Sequence, residues 1–317
     1  MKNKIKNSKI LVVGGAGFIG SHLSEELLKR GARVVVLDDL SNGRIENLKK
    51  IRNKVSIIKY DISLPLPKLK KKLKDRFNGI FHLVCFPRSM SLENPFRDLE
   101  VNAWGTLNVL ELARFYKNCK VVFTSNSGIY GDPEYLPIDE KHSDNPSTPY
   151  DANKLVSEYY MKIYNRIFNL PIAICRLATV YGERQMTKPG WKPVIPEFAK
   201  NILEGKESII YWDGEQTRDL IYVKDVVQGL IKAFLAETKD EVFILGTGVE
   251  TSINNIYRIV SKALDKWIEP KRAEKVAGDI KRMRYSSKKA EEWFGFKPEY
   301  NLKQGIKNYI NWLKANK

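Results

Sequence analysis

Tyr150 and Lys154 stand four residues apart, just behind Thr148-Pro149, a spacing that puts both side chains on one face of a helix. A phenol beside an ammonium is a candidate proton abstractor. The positive charge favours phenolate, so the pair predicts a Tyr150 pKa below its ordinary value. Such a phenol takes the proton of a sugar or alcohol hydroxyl while hydride leaves the same carbon. The spacing is common by itself and gains meaning only beside a hydride acceptor. Gly14-Gly15-Ala16-Gly17-Phe18-Ile19-Gly20 supplies the site for one. Glycines at 14, 17 and 20 permit a tight turn and bring backbone N–H groups at a helix start up to a pyrophosphate. Asp38, ending the second apolar run, is placed to accept from both adenosine ribose hydroxyls; its charge would repel a 2′-phosphate, so the cofactor expected is NAD. Asp61, after the third run, either approaches the adenine or caps its own loop.

These residues need a scaffold, and the sequence describes one. Apolar, β-rich runs at Lys9–Val13, Arg33–Asp38, Val55–Lys59, Gly79–Leu83, Lys120–Ser125 and Ile172–Leu177 alternate with helical patterns at Phe18–Arg30, Pro95–Lys117 and Thr148–Phe168. Continuous apolar strands between helices predict an α/β fold, a doubly wound parallel sheet of Rossmann type. After Arg176 prolines cluster at Pro189, Pro193 and Pro196, and the elements shorten. The division expected is a cofactor domain over 1–178, with 219–245 returning to it, and a smaller mixed α/β substrate domain from 179–218 and 246–317. An amphipathic helix, Leu302–Leu313, closes the chain.

Composition narrows the classes. With 317 residues, 43% of them hydrophobic, the chain can bury a full core. No apolar run approaches the roughly 18 residues of a membrane helix, and Met1–Gly20 reads as a first strand rather than an export signal. A soluble, cytoplasmic protein with no membrane partner is expected. Cys85, Cys119 and Cys175 lie far apart and His22, His82 and His142 are isolated, which argues against disulfides and predicts no metal. The net charge of +17 comes from lysines spread along the chain, as in the run Lys68–Lys74, and no nucleic-acid motif accompanies them. The lysines are read as solvated surface; no nucleic-acid partner is expected, and a phosphorylated small ligand stays compatible.

Taken together, Gly14–Gly20, Asp38-Asp39-Leu40-Ser41-Asn42-Gly43, Tyr130-Gly131-Asp132-Pro133, Tyr150–Lys154, Tyr181-Gly182 and Gln216-Thr217-Arg218-Asp219 resemble the extended short-chain dehydrogenase/reductases, in particular their NAD-dependent nucleotide-sugar epimerase/dehydratase group. The resemblance spans essentially the whole chain. It implies a homodimer through the two long helices and an active site between the domains. It implies that Tyr150 is the base, that Lys154 holds the nicotinamide ribose, and that Phe18, Ile19, Ile62 and Leu83 join the glycines and the two aspartates around the cofactor. Arg218 would bind a phosphate of the sugar nucleotide, with Ser127, Thr179 and Arg284 also on the substrate.

The departures from that family are as informative. Where it has a serine or threonine four residues before the tyrosine of its Tyr-Gly pair, this chain has Asn126, which donates a hydrogen bond but cannot relay a proton; Ser125 and Ser127 flank it. The dehydratases' Asp-Glu acid/base pair falls on Ser127 and Gly128, and the decarboxylases' Glu also falls on Gly128. Trp212 replaces a glycine, Val276 an arginine before Gly278-Asp279, and Met186–Pro193 with Trp191 would overlie the substrate. What remains is oxidation and re-reduction at one carbon: a nucleotide-sugar 4-epimerase acting on UDP-glucose, UDP-galactose or their N-acetylated analogues. The alternatives are a net sugar dehydrogenase on the same scaffold and a non-catalytic binder of NAD or nucleotide sugar.

Overall fold

The computed structural model describes residues 4–73, 75–188, 191–275 and 280–316; Lys74, Pro189, Val276, Gly278 and Asp279 of the readings above lie outside them. Its frame is a seven-stranded parallel sheet built from β1 (Lys9–Val13), β2 (Arg33–Asp38), β3 (Ser56–Lys59), β4 (Gly79–His82), β5 (Lys120–Asn126), β6 (Ile172–Leu177) and, after an excursion, β10 (Val242–Leu245). The strand order is β10-β6-β5-β4-β1-β2-β3, with the order reversing at β1. Ligands of such sheets bind outside the carboxyl ends of the strands at that reversal.

The strands lack polar alternation because both faces are covered. Ile10 and Val12 of β1, with Val34 and Val36 of β2, enter one apolar cluster; Leu11, Val13, Val35 and Leu37 enter the cluster on the other face. Helices α1 (Phe18–Lys29) and α8 (Val223–Leu235) cover the first face. Helices α2 (Leu66–Lys72), α5 (Gly105–Tyr116) and α6 (Pro149–Phe168) cover the second. The short α3 (Arg88–Ser91) and α4 (Pro95–Asp98) precede α5, and the turns over Leu99–Trp104 widen to a π-helix. The pattern read as one helix over Pro95–Lys117 is thus helical but wound in two ways.

The remaining elements make a smaller unit around a third apolar cluster. It holds β7 (Thr179–Tyr181), β8 (Ile209–Tyr211), β9 (Thr217–Tyr222), β11 (Glu250–Ser252) and β12 (Lys271–Ala273), with α7 (Val194–Glu204), α9 (Ile253–Leu264) and α11 (Leu302–Ala315); α10 (Lys288–Phe294) packs back toward β10. The segment expected to return, 219–245, is divided. Asp219–Tyr222 stays in the small β11-β9-β7 sheet, and only α8 and β10 rejoin the large one. Asp219 is held by four donors from the small unit, the amides of Thr247, Gly248 and Tyr285 and the Thr247 hydroxyl, which explains why β9 stays there.

Polar bonds across buried surfaces fix helices to sheet. Lys120 is almost fully buried in β5 and donates to the Ala233 and Ala236 carbonyls at 2.8 and 2.6 Å, closing the C-terminal end of α8; burial pushes its pKa down to about 8. Arg176 of β6 pairs with Glu158 of α6 through two bonds of 2.9 and 2.8 Å, reaches Asp144 at 2.7 Å, and lies 4.6 Å from the Tyr130 ring centre. Deleting Glu158 leaves the buried Arg176 with Asp144, a partly exposed carboxylate, as its remaining ion-pair partner. Glu158→Ala is expected to lower stability by about 3–5 kcal/mol, read by urea unfolding; a loss below about 1 kcal/mol would mean that water replaces the pair.

Candidate functional site

The glycine loop links β1 to α1 and meets the requirements of a dinucleotide. Gly14 takes φ +83°, and a Cβ at Gly20 would come within 2.1 Å of the Gly14 carbonyl oxygen, so only glycine allows this turn. No side chain caps the first turn of α1 and no acid stands in it, which leaves its N–H groups and the positive end of the helix for an anion. Asp38 is buried and bridges the loops, accepting from the amides of Ala16 and Leu40 at 2.9 Å each. Burial raises its pKa, against those two bonds. Phe18 and Ile19 are partly buried, Phe18 packing against the third apolar cluster and Ile19 against both the first and the third.

Asp61 is committed locally. Its carboxylate accepts from the Ser63 amide and hydroxyl at 2.9 and 2.7 Å and pairs with Arg97. Despite partial burial, these bonds hold its pKa below the usual value. Ile62 is buried and passes its carbonyl to Asn108, while Leu83 donates its amide to Val13 at the end of β4.

Helix α6 carries the Tyr150–Lys154 pair in its first two turns. Thr148 caps it, accepting from the Asp151 amide at 3.2 Å, and Pro149 occupies the first turn, where its missing N–H costs nothing. Lys154 is buried, with its ammonium donating to the carbonyls of Thr124 at 3.1 Å and Val84 at 3.5 Å. It sits 5.8 Å from the Tyr150 ring centre. The expected depression of the Tyr150 pKa is reversed. Burial raises it well above 10, and the neighbouring Cys85 thiol and Asp151 carboxylate add to the rise, while the ammonium is spent on the strand ends.

A cavity of about 270 Å³ opens at the carboxyl ends of β5 and β6, lined by Arg88, Asn126, Ser127, Gly128, Leu177, Ala178, Thr179, Arg218, Ile280 and Met283. The structure thus gathers Asn126, Ser127, Thr179 and Arg218 in one place. Tyr150 stands beside this cavity rather than in its wall, and Arg284 lines a neighbouring one of about 300 Å³ with Gly246–Gly248 and Tyr285. Ser125 is buried in β5 and is not among the residues of the cavity wall, where Ser127 and Thr179 supply the hydroxyls. Arg218 donates through Nη1 to the carbonyls of Thr217 and Ile280 at 2.7 and 2.8 Å.

The Asn126 amide is oriented by a bond of 2.5 Å from the Gly128 N–H to its Oδ1. A Cβ at Gly128 would come within 2.6 Å of both Asn126 Oδ1 and Asp151 Oδ1, so the space for a side chain at 128 is already filled. Sequence reasoning missed Arg88, Cys85 and Asp151. The available signal was position: Cys85 and Arg88 directly follow β4, at the sheet edge where ligands of this fold bind.

Fold and site define a dinucleotide-dependent enzyme of short-chain dehydrogenase/reductase type. The family model described as GDP-mannose 4,6 dehydratase matches residues 11–309, and the chain belongs to that family of nucleotide-sugar epimerases and dehydratases. A Methanocaldococcus jannaschii protein provisionally named UDP-glucose 4-epimerase is 40% identical over 97% of this chain and 99% of its own. The crystal structure of Thermotoga maritima UDP-glucose 4-epimerase with UDP-glucose superposes with a TM-score of 0.92 at 32% identity, covering 97% and 99% of the two chains. That of the Thermus thermophilus enzyme with NAD gives 0.88 at 32% identity over 98% and 100%.

The reversed pKa is open to measurement. With tyrosine labelled at its Cζ carbon and Tyr150→Phe used to assign the signal, the Tyr150 resonance of the cofactor-free protein should stay in its phenol position up to pH 10. A midpoint below about 9 would show that Lys154 does dominate.

Proposed function

We propose that this protein is an NAD-dependent nucleotide-sugar 4-epimerase whose substrates are UDP-hexoses. The observation that carries this reading is the filled space at Gly128. Oxidation at C4 is common to the family's chemistries, and elimination or decarboxylation asks for a further acid or base that Gly128, with the Asn126 and Asp151 side-chain oxygens 2.6 Å from its Cβ position, does not supply. NAD, when bound along the glycine loop, supplies a hydride acceptor that becomes a donor again within the same turnover. Asp38 would hold its adenosine ribose, and Lys154 its nicotinamide ribose.

Tyr150 takes the proton of the 4-hydroxyl and later returns it. Burial raises its pKa, so the phenol is protonated at rest, and bound positive charge has to favour the phenolate before it acts as a base. Asn126 steadies a sugar oxygen by donation from Nδ2, a buried nitrogen with no partner among the described residues. Arg218 neutralises the diphosphate. The 4-keto sugar turns over in the cavity before re-reduction on its other face.

The fixed amide at Asn126 also favours a second reading, a binder without turnover, because no proton can pass through that position. A panel of UDP-sugars incubated with the protein and NAD, followed by NMR, separates the two. The expected result is interconversion of C4 epimers with no net NADH, abolished by Tyr150→Phe. Binding of NAD and UDP-sugar without turnover of any sugar would establish the binder instead.

The homodimer belongs to this proposal. The outer faces of α4–α6 expose Phe96, Trp104, Phe115, Tyr159, Ile163 and Ile167, an apolar surface of the kind proteins cover. Light scattering should give about twice the chain mass of 36.5 kDa. The double variant Tyr159→Glu/Ile163→Glu should run as a monomer.

A further inference from the structure

Asp98, the last residue of α4, is fully buried and has no part in the chemistry above. Its Oδ1 accepts from Asn102 Nδ2 at 2.5 Å and its Oδ2 from Asn153 Nδ2 at 2.6 Å. With both oxygens accepting, the carboxyl has the bonding pattern of an ionised group. Among the described residues no lysine or arginine forms an ion pair with it. A buried anion without a cation is costly, and two neutral donors offset only part of that cost. Its place is fixed as well. Asn102 spends Oδ1 on the Phe86 amide at 3.1 Å and its carbonyl on the Ser157 hydroxyl at 2.9 Å, which anchors the π-helical turns behind Asp98.

Lys154 poses the same problem with the opposite sign. Its ammonium is buried, donates to the carbonyls of Thr124 and Val84, and has no carboxylate within ion-pair distance among the described residues. The two charges are tied through α6, where Asn153, which holds Asp98, immediately precedes Lys154. Burial raises the Asp98 pKa and lowers that of Lys154, and each group opposes the shift in the other. The other titratable groups facing Lys154 are His82 of β4, Cys85 beyond β4, and Tyr150 and Glu158 of α6. Burial keeps His82 and Tyr150 neutral, Glu158 already answers Arg176, and Cys85 carries charge only as a thiolate. Asp151, which faces Asp98, is paired with Arg88. Among the described residues this leaves Asp98 as the carboxylate beside Lys154 with no cation of its own. An ammonium has three hydrogens, and two are given to carbonyls. A direct ion pair would take the third, whereas a carboxylate further off supplies charge without taking it.

We propose that Asp98 is the counter-ion of Lys154, a positioning residue that keeps the ammonium charged from a distance and leaves its third hydrogen free. The use of that hydrogen on the cofactor ribose rests on the role given to Lys154 in the proposed function; the coupling of the two charges stands apart from it. Asp98 itself touches neither cofactor nor substrate.

Carbon-13 NMR at lysine Cε and aspartate Cγ of the cofactor-free protein follows both titrations, with Lys154→Met and Asp98→Asn assigning the two signals. Asp98→Asn keeps the shape and removes the charge, and should lower the Lys154 midpoint by about one pH unit or more. Lys154→Met should raise the Asp98 midpoint by a similar amount, because coupling between two sites is reciprocal. A residue that only fills and bonds its place would move neither midpoint, so a shift below about 0.3 unit in either arm overturns the proposal. Each arm decides alone if the other variant does not fold. Cys85→Ala is the control: a larger fall of the Lys154 midpoint there than in Asp98→Asn would make Cys85 the counter-ion and overturn it too. Between the two Lys154 midpoints, NAD should bind Asp98→Asn roughly tenfold more weakly than the unmodified chain. Coupled midpoints with equal NAD affinity would keep Asp98 as counter-ion and take Lys154 off the ribose, which refutes that part of the proposed function instead.

Discussion

The structure depends on a helix that buries a polar face. Along α6 the inward residues include Asp151, Asn153, Lys154, Ser157 and Glu158, a set that would be costly in an apolar interior without partners. Each has one. Lys154 meets carbonyls at the ends of β4 and β5, Glu158 meets Arg176 of β6, Asn153 meets Asp98, and Ser157 meets the Asn102 carbonyl in the π-helical turns. None of these bonds survives a shift of α6 by one turn. The helix is located by several independent polar contacts, and Tyr150 at its start is located with it.

That placement explains the altered acidity of Tyr150. An ammonium bound to two carbonyls is fixed but not aimed at the phenol, and burial then decides the protonation state. The same low-polarity surroundings make any charge that arrives there effective. The cofactor half follows the opposite logic. Its anion site is made of backbone N–H groups and needs no ionisable group of the chain.

The sheet, the glycine turn and the Tyr150–Lys154 pair were legible because each depends on local pattern: apolar runs, glycines at fixed spacing, a four-residue repeat. The helix ends at Pro149 and Leu302 were legible for the same reason. The fate of the 219–245 stretch was less so, because Asp219 is tied to β9 by amides at 247, 248 and 285 that no local pattern connects. The acidity of Tyr150 was misjudged, since spacing brings Lys154 near but cannot say which carbonyls compete for it. Arg88 was invisible for a like reason: its partner Asp151 lies far along the chain. Asp61 was left between two roles, and Arg97 and Ser63 engage it as a loop anchor.

Asn126, Gly128, Asp151 and Arg88 are best understood as one unit. With no side chain at 128, the Asp151 carboxylate can lie against that backbone, and it then requires a cation, which Arg88 provides at 3.1 Å. The Gly128 amide in turn captures the Asn126 oxygen and leaves its nitrogen buried without a partner among the described residues. A side chain at 128 would displace Asp151, release Arg88 and free the Asn126 amide to rotate. The absence of a side chain at 128 thus lets the Asp151–Arg88 pair and the Asn126 amide take up their positions at one end of the cavity.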